Sequence, residues 1–305
     1  MKRSHSQKKL LSYLSIVTIF CGTLFGFSHF ARAVGDPPFT TSGYVYDAVS
    51  YGSRYSRGAL YGVNLTPHGI KHVYVEPTLG DPDGTSDIGS ASVIFHRSGT
   101  GGDCTEDPHN CYHETCTFSS EGSFHAICDV PLQYYADATG DGTSFPTEYW
   151  QADLTVTDLS ANTLHESLFG ILDVNPLLAV NIPSTLDFGT QHVGASTNSG
   201  TNTAMQMYQY GNTIANLQVS GTDMTCSSFG SIPVGNIKWS LTDVGSSDVT
   251  VTPLSTTPTT ANLALSTVGA YGGDESGFLF WNLVMPTVAG GTCSGTITIN
   301  AIAPV

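Results

Sequence analysis

Positive charge is what this sequence has least of: ten Lys and Arg stand against 25 Asp and Glu in 305 residues. Five of the ten (Lys2, Arg3, Lys8, Lys9 and Arg32) fall within the first 33 positions, which hold no acid. The remainder sets five cations against 25 acids, a formal charge of −20. Binding a phosphate backbone depends on neutralising it with Lys and Arg, so nucleic acid and anionic lipid are excluded as partners. Beyond position 33 there is no apolar run of the about 20 residues that a bilayer span needs. Long stretches of helical period are missing there too.

Catalytic signatures are equally scarce. The string nearest to a Gly-x-Ser-x-Gly elbow is Gly291-Thr-Cys-Ser-Gly295, which centres on Cys293 and has His192 as the one histidine after position 176. Asp187-Phe-Gly189 matches the kinase magnesium motif in letters only, because no glycine-rich loop or His-Arg-Asp string accompanies it. Asp153, Asp158, Glu166, Asp274 and Glu275 could be paired for glycoside hydrolysis, but no spacing separates them from solvated turn residues. An enzyme is not expected, and a secreted hydrolase is the weakest of the functional alternatives.

What the chain does have begins with an export signal. The basic start, the apolar residues 10–27 and Ala31-Arg32-Ala33 follow the order of a signal peptide cleaved after Ala33. Cys21 leaves with it. Six cysteines remain, Cys104, Cys111, Cys116, Cys128, Cys226 and Cys293, an even count that an exported chain spends on disulfides. Ser119-Ser-Glu-Gly-Ser123 lies midway between Cys116 and Cys128, so a hairpin there sets these two opposite each other and leaves Cys104 for Cys111. His109, His113 and His125 interleave with the thiols and raise zinc as a competitor. The spacing misses the Cys-x2-4-Cys pairs of structural zinc sites, which leaves the histidines as surface polar residues.

Residues 34–66 are rich in Gly, Ser and Tyr (Tyr44, Tyr46, Tyr51, Tyr55, Tyr61) and predict a loosely packed lead-in. Alternating strands are then expected at residues 71–76, ending at Pro77, at 88–96, 129–135, 149–157 and 163–174. Between the first two of these, Asp81-Pro-Asp-Gly-Thr-Ser-Asp87 brings three carboxylates around a glycine. An ordinary Asp/Gly turn explains it. Calcium at Asp81, Asp83 and Asp87 is the alternative, because the ion takes six to eight oxygen ligands and a turn gathers them, although the spacing is not that of an EF-hand.

In the second half, short segments at 204–210, 217–220, 237–241, 249–252, 263–265, 278–285 and 295–301 are separated by Gly, Ser, Thr, Asn and Pro turns, the spacing of a β-sandwich. Trp239 and Trp281 fall in alternating strands and are expected in the core, and a bridge from Cys226 to Cys293 would pin the last strand.

Two stretches carry a resemblance. Tyr149-Trp-Gln-Ala-Asp-Leu-Thr-Val-Thr-Asp158, with its turn and Asn162, is similar to the closing hairpin of bacterial extracellular immunoglobulin-like modules. Leu186-Asp-Phe-Gly-Thr190, Val193-Gly194, Leu217-Gln-Val-Ser-Gly221, Phe280-Trp-Asn-Leu-Val284 and Gly291-Thr-Cys-Ser-Gly-Thr-Ile-Thr-Ile299 resemble the immunoglobulin-like repeats of bacterial and archaeal secreted and cell-surface proteins. The resemblance implies an all-β chain of two immunoglobulin-like β-sandwiches in tandem, residues 67–175 and 176–305, following the signal peptide at 1–33 and the lead-in at 34–66. Such modules serve as spacers, adhesion units or binding appendages. The expected function is a secreted or cell-surface structural or interaction protein, with a protein or glycan partner. A carbohydrate-binding module is the alternative. The junction, residues 171–189, lacks a Gly/Ser tether and holds Pro176 and Pro183, so the two modules should meet at a restricted angle.

Overall fold

The computed structural model describes residues 35–47, 55–56, 61–119, 124–267 and 275–303. The expected leader at 1–33, Tyr51, Asp274 and the expected turn at 120–123 lie outside them. Among the described residues the regular structure is β, with 3₁₀ turns at Thr85–Asp87 and Val234–Asn236. None of these residues forms a helix long and apolar enough to cross a membrane.

Two five-stranded sheets enclose the first core. One runs in the order Tyr55–Ser56, Phe39–Asp47, Ile70–Gly80, His125–Gln133, Thr117–Ser119, and the other Tyr61–Val63, Thr163–Val174, Trp150–Asp158, Ile88–Arg97, Cys111–Thr115. Strand Trp150–Asp158 shows how sequence becomes packing: Trp150, Ala152, Leu154 and Val156 are buried, while the residues between them are half-exposed. They meet Ala91, Val93 and Phe95 of the neighbouring strand and Val73, Val75, Val130 and Leu132 of the facing sheet in one cluster. Each such fully buried aliphatic side chain stabilises the fold by about 1.5–3 kcal/mol.

Two sequence expectations need correction here. Phe39–Asp47 is no loose lead-in but a nine-residue strand paired along Ile70–Gly80, with Val45 and Tyr46 buried. Its alternation is obscured because Tyr46 stacks on Tyr74 at 5.5 Å, which lets a residue with a polar tip be buried. Pro77 does not end its strand either, since Ile70–Gly80 continues through it. Pairing with Phe39–Asp47 includes Gly43 opposite Pro77, whereas pairing with His125–Gln133 passes over Glu76 and Pro77. Proline has no N–H to give, so the ladder lapses on one side only.

The second core lies between the sheet Val180–Asn181, Thr203–Gln209, Ser276–Leu283, Ile237–Ser240, Thr252–Pro253 and two three-stranded sheets. These are Thr259–Thr260, Asn216–Gly221, Ile297–Ile302 and Ser231–Ile232, Met224–Cys226, Cys293–Ser294. Met207, Leu217, Val219, Leu279 and Trp281 are fully buried in it. The strand expected at 249–252 shrinks to Thr252–Pro253. Asp248 accepts bonds from the N–H and hydroxyl of Thr250, which turns the chain there and leaves Val249 exposed. The expected strand at 263–265 is a single bridge from Leu265 to Ala215. The closing strand divides, so that Cys293 pairs with Cys226 in one sheet and Ile297–Ile302 with Asn216–Gly221 in another.

Candidate functional site

The cysteines form three bonds: Cys104–Cys111, Cys116–Cys128 and Cys226–Cys293. Cys116 sits where the chain leaves strand Cys111–Thr115 for strand Thr117–Ser119 of the facing sheet, so its bridge to Cys128 ties the corner between sheets. Zinc is not held here, since both thiols nearest to His113 are in a disulfide. Instead His113 Nε2 lies 2.9 Å from the carbonyl of Cys104. His109 and His125 are half-buried and lie near Asp137 and Glu76, at 3.7 and 3.5 Å, so they are not simple surface residues.

Asp81 follows strand Ile70–Gly80, and Asp87 precedes strand Ile88–Arg97. The loop between them turns tightly, with Gly84 at φ +106° and its N–H donating to the carbonyl of Asp81. Asp81, Asp83 and Asp87 each present an oxygen to a common point, the three lying within 4.8 Å of one another. Asp81 is 8% exposed. Its Oδ1 accepts the N–H of Asp83 at 2.8 Å, while its Oδ2 is buried with no hydrogen-bond partner.

Three of the five acids weighed for hydrolysis have structural occupations. Asp153 holds the fully buried His96 at 3.0 Å, Asp158 accepts from the backbone and side chain of Asn162, and Glu166 accepts from Thr40. Although burial pushes the Asp158 carboxyl up, the bonds from Asn162, Ser160 and Ala161 bring it below the usual range, as a turn cap requires. Cys293 is bonded to Cys226 and is no nucleophile. The indoles of Trp150, Trp239 and Trp281 are all buried, the last two opposite each other across paired strands, so none forms an exposed platform for a sugar. A cleft of about 380 Å³ does open between Leu186, Phe188, Met224, Ile297 and Ile299.

Sequence reasoning missed the charged contacts because the partners lie far apart in the chain. Lys71 meets Asp47 at 2.6 Å. Arg97 binds Asp137 and Glu148 and stacks 3.7 Å over Phe145. Lys238 donates to the carbonyl of Ser246. All three described cations are thus turned to the protein itself.

A compact set of polar contacts gathers at the junction. Asn212 is buried and bonds two other segments: its Nδ2 donates to the carbonyls of Ala136, at 2.9 Å, and Asn175, and its Oδ1 accepts the N–H of Leu177 at 2.6 Å. Gly211 packs so closely that a Cβ there would stand 2.1 Å from the carbonyl oxygen of Leu177. Beside them His68 stacks on Tyr210 at 4.1 Å, and Tyr134 meets Tyr210 edge-on at 6.1 Å. Leu177 packs against the first core and against the Tyr134–Tyr135 pair.

No protein-family model matches the chain, and no curated protein matches it. Solved structures similar to it include BspA_C_mut, which is 10% identical, with 88% of this chain and 95% of that one covered at a TM-score of 0.24. BspA_C_WT is 11% identical, with 86% and 97% covered at 0.23. The Streptococcus agalactiae AgI/II polypeptide BspA C terminal domain (WT) is also 11% identical, with 87% and 97% covered at 0.18. TM-scores of this size carry no argument about fold or function.

Proposed function

We propose that this chain is an exported structural or interaction protein: two immunoglobulin-like β-sandwiches, meeting near Pro176 and fixed end to end, that present a protein- or glycan-binding surface at a defined distance from the cell or matrix. The observation that carries the reading is the clamp at Asn212, which fastens residues on both sides of the junction where a flexible tether would leave them free. Three disulfides support an oxidising location outside the cytoplasm. The structural partners found for the acids and for Cys293 favour a scaffold over a hydrolase. Buried indoles turn the reading away from a sugar-stacking module.

Small-angle scattering of the mature protein tests it. A single elongated envelope that broadens on Asn212→Ala, with both sandwiches still folded, is the expected result. A wild-type profile that fits only a freely jointed pair would refute the rigid-scaffold reading. A glycan array run beside a cell-surface pull-down then separates the two partner classes.

A further inference from the structure

We infer that the loop holding Asp81, Asp83 and Asp87 is a calcium site that locks the crossover between the two sheets of the first sandwich. Acidic turns are common, and clustering alone says little. What distinguishes this loop is Asp81, whose Oδ2 lies in the interior with no partner. Burying a carboxylate oxygen without a hydrogen bond or counter-charge is costly, and a bound cation removes that cost. Among the described residues no Lys or Arg serves: Lys71, Arg97 and Lys238 make their contacts with Asp47, with Asp137 and Glu148, and with Ser246.

The ligand chemistry favours calcium. Three oxygens all within 4.8 Å of one another can be bridged by a single ion whose oxygen distances are about 2.3–2.6 Å. Magnesium demands near-ideal octahedral geometry and gives up its waters reluctantly, so it suits a site built from loop carboxylates less well. Carboxylates are hard oxygen donors, and backbone carbonyls or water would complete the six to eight ligands.

The position gives the ion a task. Asp81 adjoins a strand of one sheet and Asp87 a strand of the other, while the carbonyl of Asp87 also accepts the N–H of Leu159 from the turn after Trp150–Asp158. An ion joining the carboxylates ties three elements at one end of the sandwich.

Calorimetric titration of the full disulfide-bonded protein with CaCl2, with MgCl2 for comparison, tests the site alongside thermal unfolding in either salt or EDTA. Calcium should bind with a Kd of about 10⁻⁴–10⁻³ M, as in other extracellular modules, and millimolar calcium should raise the Tm by several degrees over EDTA. Asp83→Asn with Asp87→Asn leaves the buried Asp81 in place, so the protein folds while calcium loses at least tenfold in affinity and no longer raises the Tm. Asp81→Asn should behave alike. An unchanged wild-type Tm, an equal rise with magnesium, or a rise preserved in the double variant would each overturn the assignment.

Discussion

The side-chain amide of Asn212 donates to the carbonyl of Ala136 at 2.9 Å, a buried bond across 76 positions of sequence. With the bond from the Leu177 N–H, this fixes the second half of the chain to the first. Asn212→Ala should cost about 1–3 kcal/mol, because it strands buried backbone groups. Asn212→Asp should fare no better, since a carboxylate cannot donate to Ala136. Urea unfolding of the three proteins checks both.

Gly211 gives a second probe of the same junction. A methyl group there meets the Leu177 carbonyl oxygen at 2.1 Å, which neither backbone can accommodate without shifting. Gly211→Ala is expected to destabilise by about 1–3 kcal/mol, as overpacking does, and to broaden the scattering profile. Gly142→Ala serves as the control: its Cβ meets nothing within 4 Å, so the cost there is confined to the local strain of φ +81°.

The disulfides should rank by the loop that each closes. Cys226–Cys293 spans 67 positions, Cys116–Cys128 spans 12 and Cys104–Cys111 spans seven. On the chain-entropy model these contribute about 4, 3 and 2 kcal/mol, so paired Cys→Ser variants should lose denaturant resistance in that order. Non-reducing peptide mapping of the protein should find no free thiol among the six cysteines.

Arg97 should not tolerate Lys. Its guanidinium meets Asp137 and Glu148 at once and lies flat over Phe145, a geometry that a point-like ammonium cannot reproduce. Arg97→Lys is expected to cost about 1–3 kcal/mol in thermal unfolding, more than Glu148→Gln, which leaves the stacking and the Asp137 contact intact.

Acid should weaken the second sandwich partly through Asp243. The side chain of Asn202 and the N–H of Gly200 hold its carboxyl below the ordinary value of 3.8. The unfolded chain therefore takes up this proton first, so the contribution is present above the ordinary carboxylate value and is lost as pH falls through the lower, folded one. Asp243→Asn should flatten that acid limb in unfolding measured from pH 5 to pH 2.

Local chemistry set much of this structure in advance. Alternation placed Trp150, Ala152, Leu154 and Val156 inward because side chains of a strand point to opposite faces in turn. The cysteine spacing around residues 116–128 anticipated the Cys116–Cys128 bridge, and the Asp/Gly loop at 81–87 was legible as a point where three carboxylates converge. Those properties reside within a few neighbouring residues. The fold overruled the sequence where burial depends on distant partners. Tyr46 is inside because Tyr74 covers it, His96 because Asp153 is 57 positions away, and Asn212 because Ala136 and Leu177 converge on it. No periodicity encodes such contacts. The sequence by itself determined an acidic all-β chain, many of its strands and an even set of cysteines suited to disulfides, since period and turn chemistry are local. Only the tertiary structure decided that Asp81 carries a buried, unpartnered oxygen and that Asn212 clamps the junction, because desolvation and hydrogen-bond satisfaction are set by which remote segments meet.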